Sequence, residues 1–435
     1  MYPDMDLKNT VIVVQGHKYT FFSNGIYLCA ELLGYYNIVL VVPQSYSVDE
    51  RFLKICELMS FHEVVYFPSN AYLTPDQKDS FYGVNFVKQF FHQKSYSEIS
   101  KRLILKYRPI AILQHDYIHV ENMYFFYWAN RLIANCKKIT VLSTAPSNER
   151  TLIGFSQMRR KRAFKLVRDN RVLGCFLFWL YTSFKLMESS VRNILIPLLV
   201  LRNKSDFGLS SFDNIDIKPK KLPFDYFMVF EYAEEAFYGK LFGDRERVIR
   251  ISSPISNGAR INSQIFHIKS VKDILILFSL TGVTGFDSGL LDRWCELFFT
   301  LSEKYIDTKI IIKFHPNLSY KLSHKFKTYI TSKCNYVYVI DSQVNDIPTE
   351  EFILNSWLII GDCSSVLPWA HYTGEKIVLS MDVGNIANSR DMDCYSGITL
   401  FSRDDDFTKI VENINPLEFA ENHELCLPSL RDFIV

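Results

Sequence analysis

The chain has 435 residues, 48% of them hydrophobic and 22% charged, with 35 Phe and 25 Tyr. That is room for two or three domains with large buried cores, and it excludes a disordered tail or a disulfide-stapled mini-domain. The net charge of +2 hides an asymmetry: residues 1–270 carry 35 Lys/Arg against 24 Asp/Glu (+11), while residues 271–435 carry 14 against 23 (−9), so the first part suits an anionic partner such as a membrane surface or an acidic polymer.

The opening segment MYPDMDLKNT lacks the basic-then-apolar layout of a secretion signal, and no apolar run reaches the roughly 18 residues of a spanning helix. A cytoplasmic chain is expected. The nine Cys form no CxxC or CxxxC pair, which predicts reduced thiols and neither a disulfide framework nor a zinc site. Strand signals then follow in order: TVIVVQ at 10–15, NIVLVV at 37–42, EVVYF at 63–67, IAILQ at 110–114, KITVL at 138–142 and RVIRI at 247–251. Most are separated by spacers long enough for crossover helices. Near-continuous apolar strands alternating with helices predict a parallel sheet covered on both faces.

Residues 159–171, RRKRAFKLVRDNR, hold seven basic groups and one acid, and apolar aromatic-rich runs follow at 172–184 and 194–201. Each run is too short to cross a bilayer. The segment reads either as a helix lying in the headgroup layer or as one packed on the protein with a solvated basic end. A turn-rich stretch, SSPISNG at 252–258, marks the join to a second part with the same rhythm. Its strand signals are DILILF at 273–278, TKIIIK at 308–313, YVYVI at 336–340, WLIIG at 357–361 and KIVLS at 376–380. The expected layout is a Rossmann-like domain over 1–255 with a helical insertion near 155–205, a second over 256–410, and a segment 411–435 returning to the first. Two such parallel-sheet α/β domains would face a cleft at the carboxyl ends of their strands, where ligands favour binding.

Chemistry concentrates at strand exits. Lys313, His315 and Pro316 follow one strand; the imidazole and ammonium can donate hydrogen bonds to a phosphate, although a lone His-Pro pair also suits a plain surface turn. Ser364 and Ser365 follow the strand ending at Gly361 and precede an apolar helix, so their hydroxyls and the free N–H groups of a helix start suit an anion. Ser279, Thr281 and Gly282 lie in a glycine- and hydroxyl-rich loop that is neither a P-loop nor GxGxxG. Glu350 is placed to reach a ribose or simply to end a solvated helix. In the first half, His115, Asp116, His119 and Glu121 crowd one strand exit, where an acid or imidazole can deprotonate a hydroxyl. Metal binding by these groups lacks further ligands. His17 and Lys18, after the first strand, are candidates for contact with donor or acceptor. Asp404-Asp405-Asp406 reads as solvated surface.

On His315-Pro316 and Ser364-Ser365 the chain resembles GT-B glycosyltransferases, and within them the bacterial enzymes that use CMP-activated sialic or Kdo-like acidic sugars in capsule and lipopolysaccharide synthesis. CDP-alditol phosphotransferases are similar in this half; transfer of an alditol phosphate from a CDP donor or of a sugar from a UDP donor is the alternative in the same frame, and a non-catalytic nucleotide-binding, membrane-associated protein is the alternative of another class. The likeness is clearest over 273–380. It implies two Rossmann-like domains about a cleft, a nucleotide-sugar donor held by His315, Ser364 and Ser365, a glycan or lipid-linked glycan acceptor, and inverting transfer without metal or other cofactor. Nucleic acid is not an expected partner; an anionic membrane surface is a candidate one. The Asp/Glu-Asp/Glu-Gly base motif of polysialyltransferases is absent, so Asp116 leads on position alone, with His115, His119 and Glu121 as alternatives.

Overall fold

The computed structural model describes residues 9–15, 21–67, 86–115, 120–141, 224–242, 244–256, 258, 262–263, 266, 271–278, 287–314, 320–340, 349–362, 366–374, 376–383, 397–414 and 427–434. The chain divides into two compact units. The first is Met1–Ser143 with Phe155–Pro254 and Cys426–Val435; the second is Thr144–Gly154 with Ile255–Leu425. The basic and apolar segment at 155–205 lies outside the described residues.

The first unit holds β1 (Thr10–Val14), α1 (Ile26–Leu32), β2 (Asn37–Pro43), α2 (Glu50–Met59), β3 (Glu63–Phe67), α3 (Phe86–Tyr107), β4 (Ala111–His115), α4 (Val120–Leu132), β5 (Lys137–Val141), β6 (Tyr226–Val229), α5 (Tyr232–Phe242) and β7 (Val248–Arg250). Its sheet runs β3-β2-β1-β4-β5-β6-β7, every pairing parallel. All five residues of β1 are buried, as a central parallel strand requires. Ile12 and Val14 join Val39, Val41 and Ile112 in the core beneath Leu103 and Ile104 of α3 and Phe125 of α4. Val11 and Val13 alternate to the other face. An aromatic cluster stands near α2: the Phe21, Tyr46 and Phe52 rings lie 4.6 to 5.8 Å apart, centroid to centroid.

Residues 427–434 belong to this unit. The Leu430 N–H donates to Oε1 of Glu31 at 3.0 Å, the Ser252 N–H donates to the Pro428 carbonyl at 3.1 Å, and the Phe433 ring meets Tyr226 at 5.5 Å.

The second unit holds β8 (Asp273–Phe278), α6 (Ser288–Lys304), β9 (Ile310–Phe314), α7 (Tyr320–Lys333), β10 (Val337–Ile340), α8 (Thr349–Leu354), β11 (Ser356–Gly361), α9 (Val366–Tyr372), β12 (Ile377–Asp382), β13 (Ile398–Ser402) and α10 (Phe407–Glu412). Its sheet runs β10-β9-β8-β11-β12-β13, again all parallel. The spacing of Leu290, Leu291, Trp294, Leu297, Phe298 and Leu301 gives α6 one buried stripe, and Asp287 caps it by accepting from the Leu290 N–H. At its other end Lys304 donates to the carbonyls of Val411, Glu412 and Ile414 at 2.6, 3.1 and 3.1 Å, closing the carboxyl end of α10. Asp406 caps the start of α10 and Asp405 accepts from the Ser402 N–H, with Asp404 to Asp406 exposed.

Two strands go beyond the sequence reading. β6, YFMV, is apolar but only four residues long, and β13, ITLFS, is broken by Thr399 and exposes two of its five side chains. The five described cysteines, at 29, 56, 136, 295 and 334, carry free thiols; burial pushes those of Cys56 and Cys136 up to about 12, which leaves them inert at neutral pH. Among the described residues no helix is long and apolar enough to cross a membrane.

Candidate functional site

Strand order shows where the candidate residues leave the sheets. In the second unit β8 stands between β9 on one side and β11 on the other, and the winding reverses at that point. Open α/β sheets bind ligands outside the carboxyl ends of the strands at such a reversal. Parallel register brings three ends level: Leu277 pairs with Gly361 across β8 and β11, and Phe278 with Phe314 across β8 and β9. The chain leaving β8 enters the loop of Ser279, Thr281 and Gly282. The chain leaving β9 enters His315-Pro316, and that leaving β11 passes Asp362 to Ser364-Ser365. These seven predicted residues lie outside the described residues, but the strands that feed them are neighbours, roughly 4.8 Å apart.

The described floor of this edge is tight. A Cβ on Gly361 would stand 3.1 Å from Cδ2 of Leu367 and 3.2 Å from the Leu277 carbonyl oxygen, so only glycine lets β11 pass here undisturbed. Asp362 is 3% exposed, and its N–H donates to the Leu277 carbonyl at 3.4 Å. Ser380, beside Gly361 on β12, is buried too. Neither residue stands out in the sequence alone; the signal for Asp362 is its place between the strand and the serine pair.

Lys313 is the next-to-last residue of β9. Ile310, Ile312 and Phe314 face the main core, so by the period of two Lys313 turns to the opposite face of β9. There it is 5% exposed, with Nζ 5.1 Å from the Phe352 ring centroid of α8. Burial pulls its pKa below the ordinary lysine range, and the Glu350 carboxylate opposes that shift. Glu350 sits half-buried in the first turn of α8, where a carboxylate complements the helix dipole. His371 of α9 also escapes the sequence reading. Burial lowers its pKa, and its ring lies so close over Gly397 that a Cβ there would fall 1.8 Å from the imidazole Cε1.

The first unit has the same construction. Its sheet reverses between β1 and β4, paired Val14 to Gln114. Gln15 continues β1, its N–H donating to the Val41 carbonyl at 2.8 Å, and its fully buried side chain occupies the space a Cβ on Gly25 would need, 2.5 Å from Nε2. Gln114 donates to Oγ1 of Thr140 at 3.2 Å in a buried pair. His17 and Lys18 follow β1. His115 proves to be the last residue of β4 and not a loop residue, paired in register with Val141. Asp116 and His119 come next. Glu121 lies in the first turn of α4. The residues His17, Lys18, Asp116 and His119, and the side chains of His115 and Glu121, lie outside the described residues. Among the described residues no three His, Cys, Asp or Glu cluster as metal ligands would.

No protein-family profile matches the chain, and no curated protein matches it. Solved structures do. UDP-GlcNAc 2-epimerase from Methanocaldococcus jannaschii aligns over 93% of this chain and 92% of its own at 12% identity, with a TM-score of 0.51. The chain has the GT-B fold. Looser matches include UDP-GlcNAc 2-epimerase from Neisseria meningitidis bound to UDP-GlcNAc (11% identity, 93% and 90% covered, TM-score 0.45) and MurG from Acinetobacter baumannii (8%, 93% and 88%, 0.38). In the sequence the predicted polar residues come directly after strands that stand at or beside the reversal of each sheet. Ser279, Thr281, Gly282, His315, Pro316, Ser364 and Ser365 follow β8, β9 and β11, and His17, Lys18, Asp116 and His119 follow β1 and β4.

Proposed function

We propose that the chain is an inverting glycosyltransferase that moves a sugar from a nucleotide-activated donor to a hydroxyl of a surface-glycan acceptor. What supports this reading is the adjacency of β9, β8 and β11, which feeds three separately recognised phosphate-type loops from one sheet edge. In the reaction the acceptor hydroxyl oxygen attacks the anomeric carbon and gives its proton to a base, Asp116 in this reading. The bond from the anomeric carbon to the phosphate oxygen breaks, and the nucleotide leaves with the electron pair. His315, Ser364, Ser365 and helix-start N–H groups hold the growing charge, each such donor contributing on the order of 10²-fold in rate. With those donors in place the transfer runs without a divalent cation. The donor favoured is a CMP-linked acidic sugar of the sialic or Kdo class, on the His-Pro and Ser-Ser pairs; the acceptor is a glycan, free or lipid-linked at the inner membrane face.

The second reading is a UDP-sugar epimerase. It is favoured by the likeness to UDP-GlcNAc 2-epimerase from M. jannaschii. The test is a thermal-shift screen with CMP, CDP, UDP and GDP, followed by product analysis with CMP-, CDP- and UDP-linked sugars. A ligand that binds only the folded state raises the melting temperature. Stabilisation by CMP and product formed only with acceptor present are expected. Conversion of a UDP-sugar with no acceptor would replace transfer by epimerisation.

A further inference from the structure

Helix α7 carries four lysines and a histidine and no acid, in a half of the chain whose net charge is −9. It begins six residues after β9 ends. Ser323, Phe326 and Ile330 face inward and are buried. At 100° per residue, Tyr320, Lys321, His324, Lys325, Lys327 and Thr328 fall on one continuous outer surface, and all six are exposed. Lys333 is engaged by Asp292. Lys321, Lys325 and Lys327 have no acidic partner among the described residues. Tyr320 is 61% exposed, its ring stacked on His324 at 6.2 Å with 16° between planes. The result is a flat ring beside cations about one helical turn, roughly 5–6 Å, apart.

We propose that this face of α7 binds an acidic polysaccharide, its ammonium groups pairing with successive carboxylates and the Tyr320 ring covering the C–H face of one sugar. The spacing of Lys321 and Lys325 matches the advance of a chain by about one sugar. The face does not suit insertion into a membrane, because Phe326 and Ile330 point into the core and the single Tyr320 ring is all that is left to enter the headgroup layer. It does not suit single-stranded nucleic acid either, which needs a succession of aromatic platforms where α7 offers one exposed ring. The inference needs no nucleotide and stands whichever reaction the chain performs.

Fluorescence anisotropy with a labelled oligogalacturonate, titrated with the full chain across about 50 to 200 mM salt, tests it. The triple variant Lys321→Ala, Lys325→Ala, Lys327→Ala is expected to lose at least tenfold in affinity. It is also expected to flatten the slope of log Kd against log salt by about 2, since each ammonium–anion pair removed takes roughly 0.7–0.9 from that slope. Tyr320→Ala is expected to weaken binding severalfold with the slope unchanged. All four positions are exposed, so unchanged melting curves will show that the variants are folded. Equal affinity of wild type and triple variant overturns the proposal. So does failure to bind oligogalacturonate while phosphatidylserine vesicles or a single-stranded oligonucleotide bind in a lysine-dependent way.

Discussion

Replacing Lys313 by Met separates what that residue does for folding from what it does for function. Its side chain is 5% exposed, and burial depresses its pKa more strongly than Glu350 lifts it. Desolvating an ion costs several kcal/mol, which the Phe352 ring 5.1 Å away and the residue's other contacts offset only in part, as the depressed pKa shows. Met keeps the unbranched length. Glu350 is not stranded by the change, because it is only half-buried and faces the positive end of α8. The variant is therefore expected to gain about 1–3 kcal/mol, a rise of roughly 2–4 °C per kcal/mol in the melting of a unit this size. The sign with pH follows from the depressed native pKa. Between that value and 10.5 the unfolded chain binds more protons at this site than the folded one, so wild-type stability climbs with pH and the gap to the variant narrows. Nucleotide affinity is expected to fall about tenfold, some 1.4 kcal/mol, since the cation sits two residues before His315. Urea unfolding at pH 7 and near pH 10, with nucleotide titration by calorimetry, reads all three. A variant less stable than wild type by more than about 1 kcal/mol at pH 7, or a gap that ignores pH, refutes the reasoning.

His315→Ala is expected to lower transfer on the order of 10²-fold with melting unchanged; a loss under threefold removes the imidazole from the leaving-group site. Lys304→Met takes donors from three carbonyls at the end of α10 and is expected to cost about 1–3 kcal/mol, read as an earlier urea midpoint. Gly25→Ala drives a methyl into the buried Gln15 side chain, for a loss of about 1–3 kcal/mol by thermal melting. Deleting 159–171 is expected to weaken sedimentation with anionic liposomes, and undiminished binding would sink the membrane assignment of that segment.

Most of the sheet scaffold is legible in the sequence because central parallel strands are buried on both faces and so appear as runs such as VIVV and DILILF. Edge and half-exposed strands lack that signal, which is why β13 does not stand out. The polar loops are recognisable one at a time, each as hydroxyls or an imidazole directly after an apolar run. Their adjacency is not, since strand order depends on pairings between residues far apart: Gly361 meets Leu277 across more than eighty residues of chain. The direction of Lys313 is available in principle. Phe314 belongs to the core, and alternation then sends Lys313 the other way.

The bond from Leu430 to Glu31 has a consequence for biogenesis. Residues 427–434 leave the ribosome after all of 255–425, yet they belong to the unit that emerges first. The early unit must wait, with the flank of α1 uncovered and the Glu31 carboxylate unengaged, while the whole later unit is translated. Chaperone occupancy on the early unit should accordingly persist until Leu430 has cleared the exit tunnel and reached Glu31.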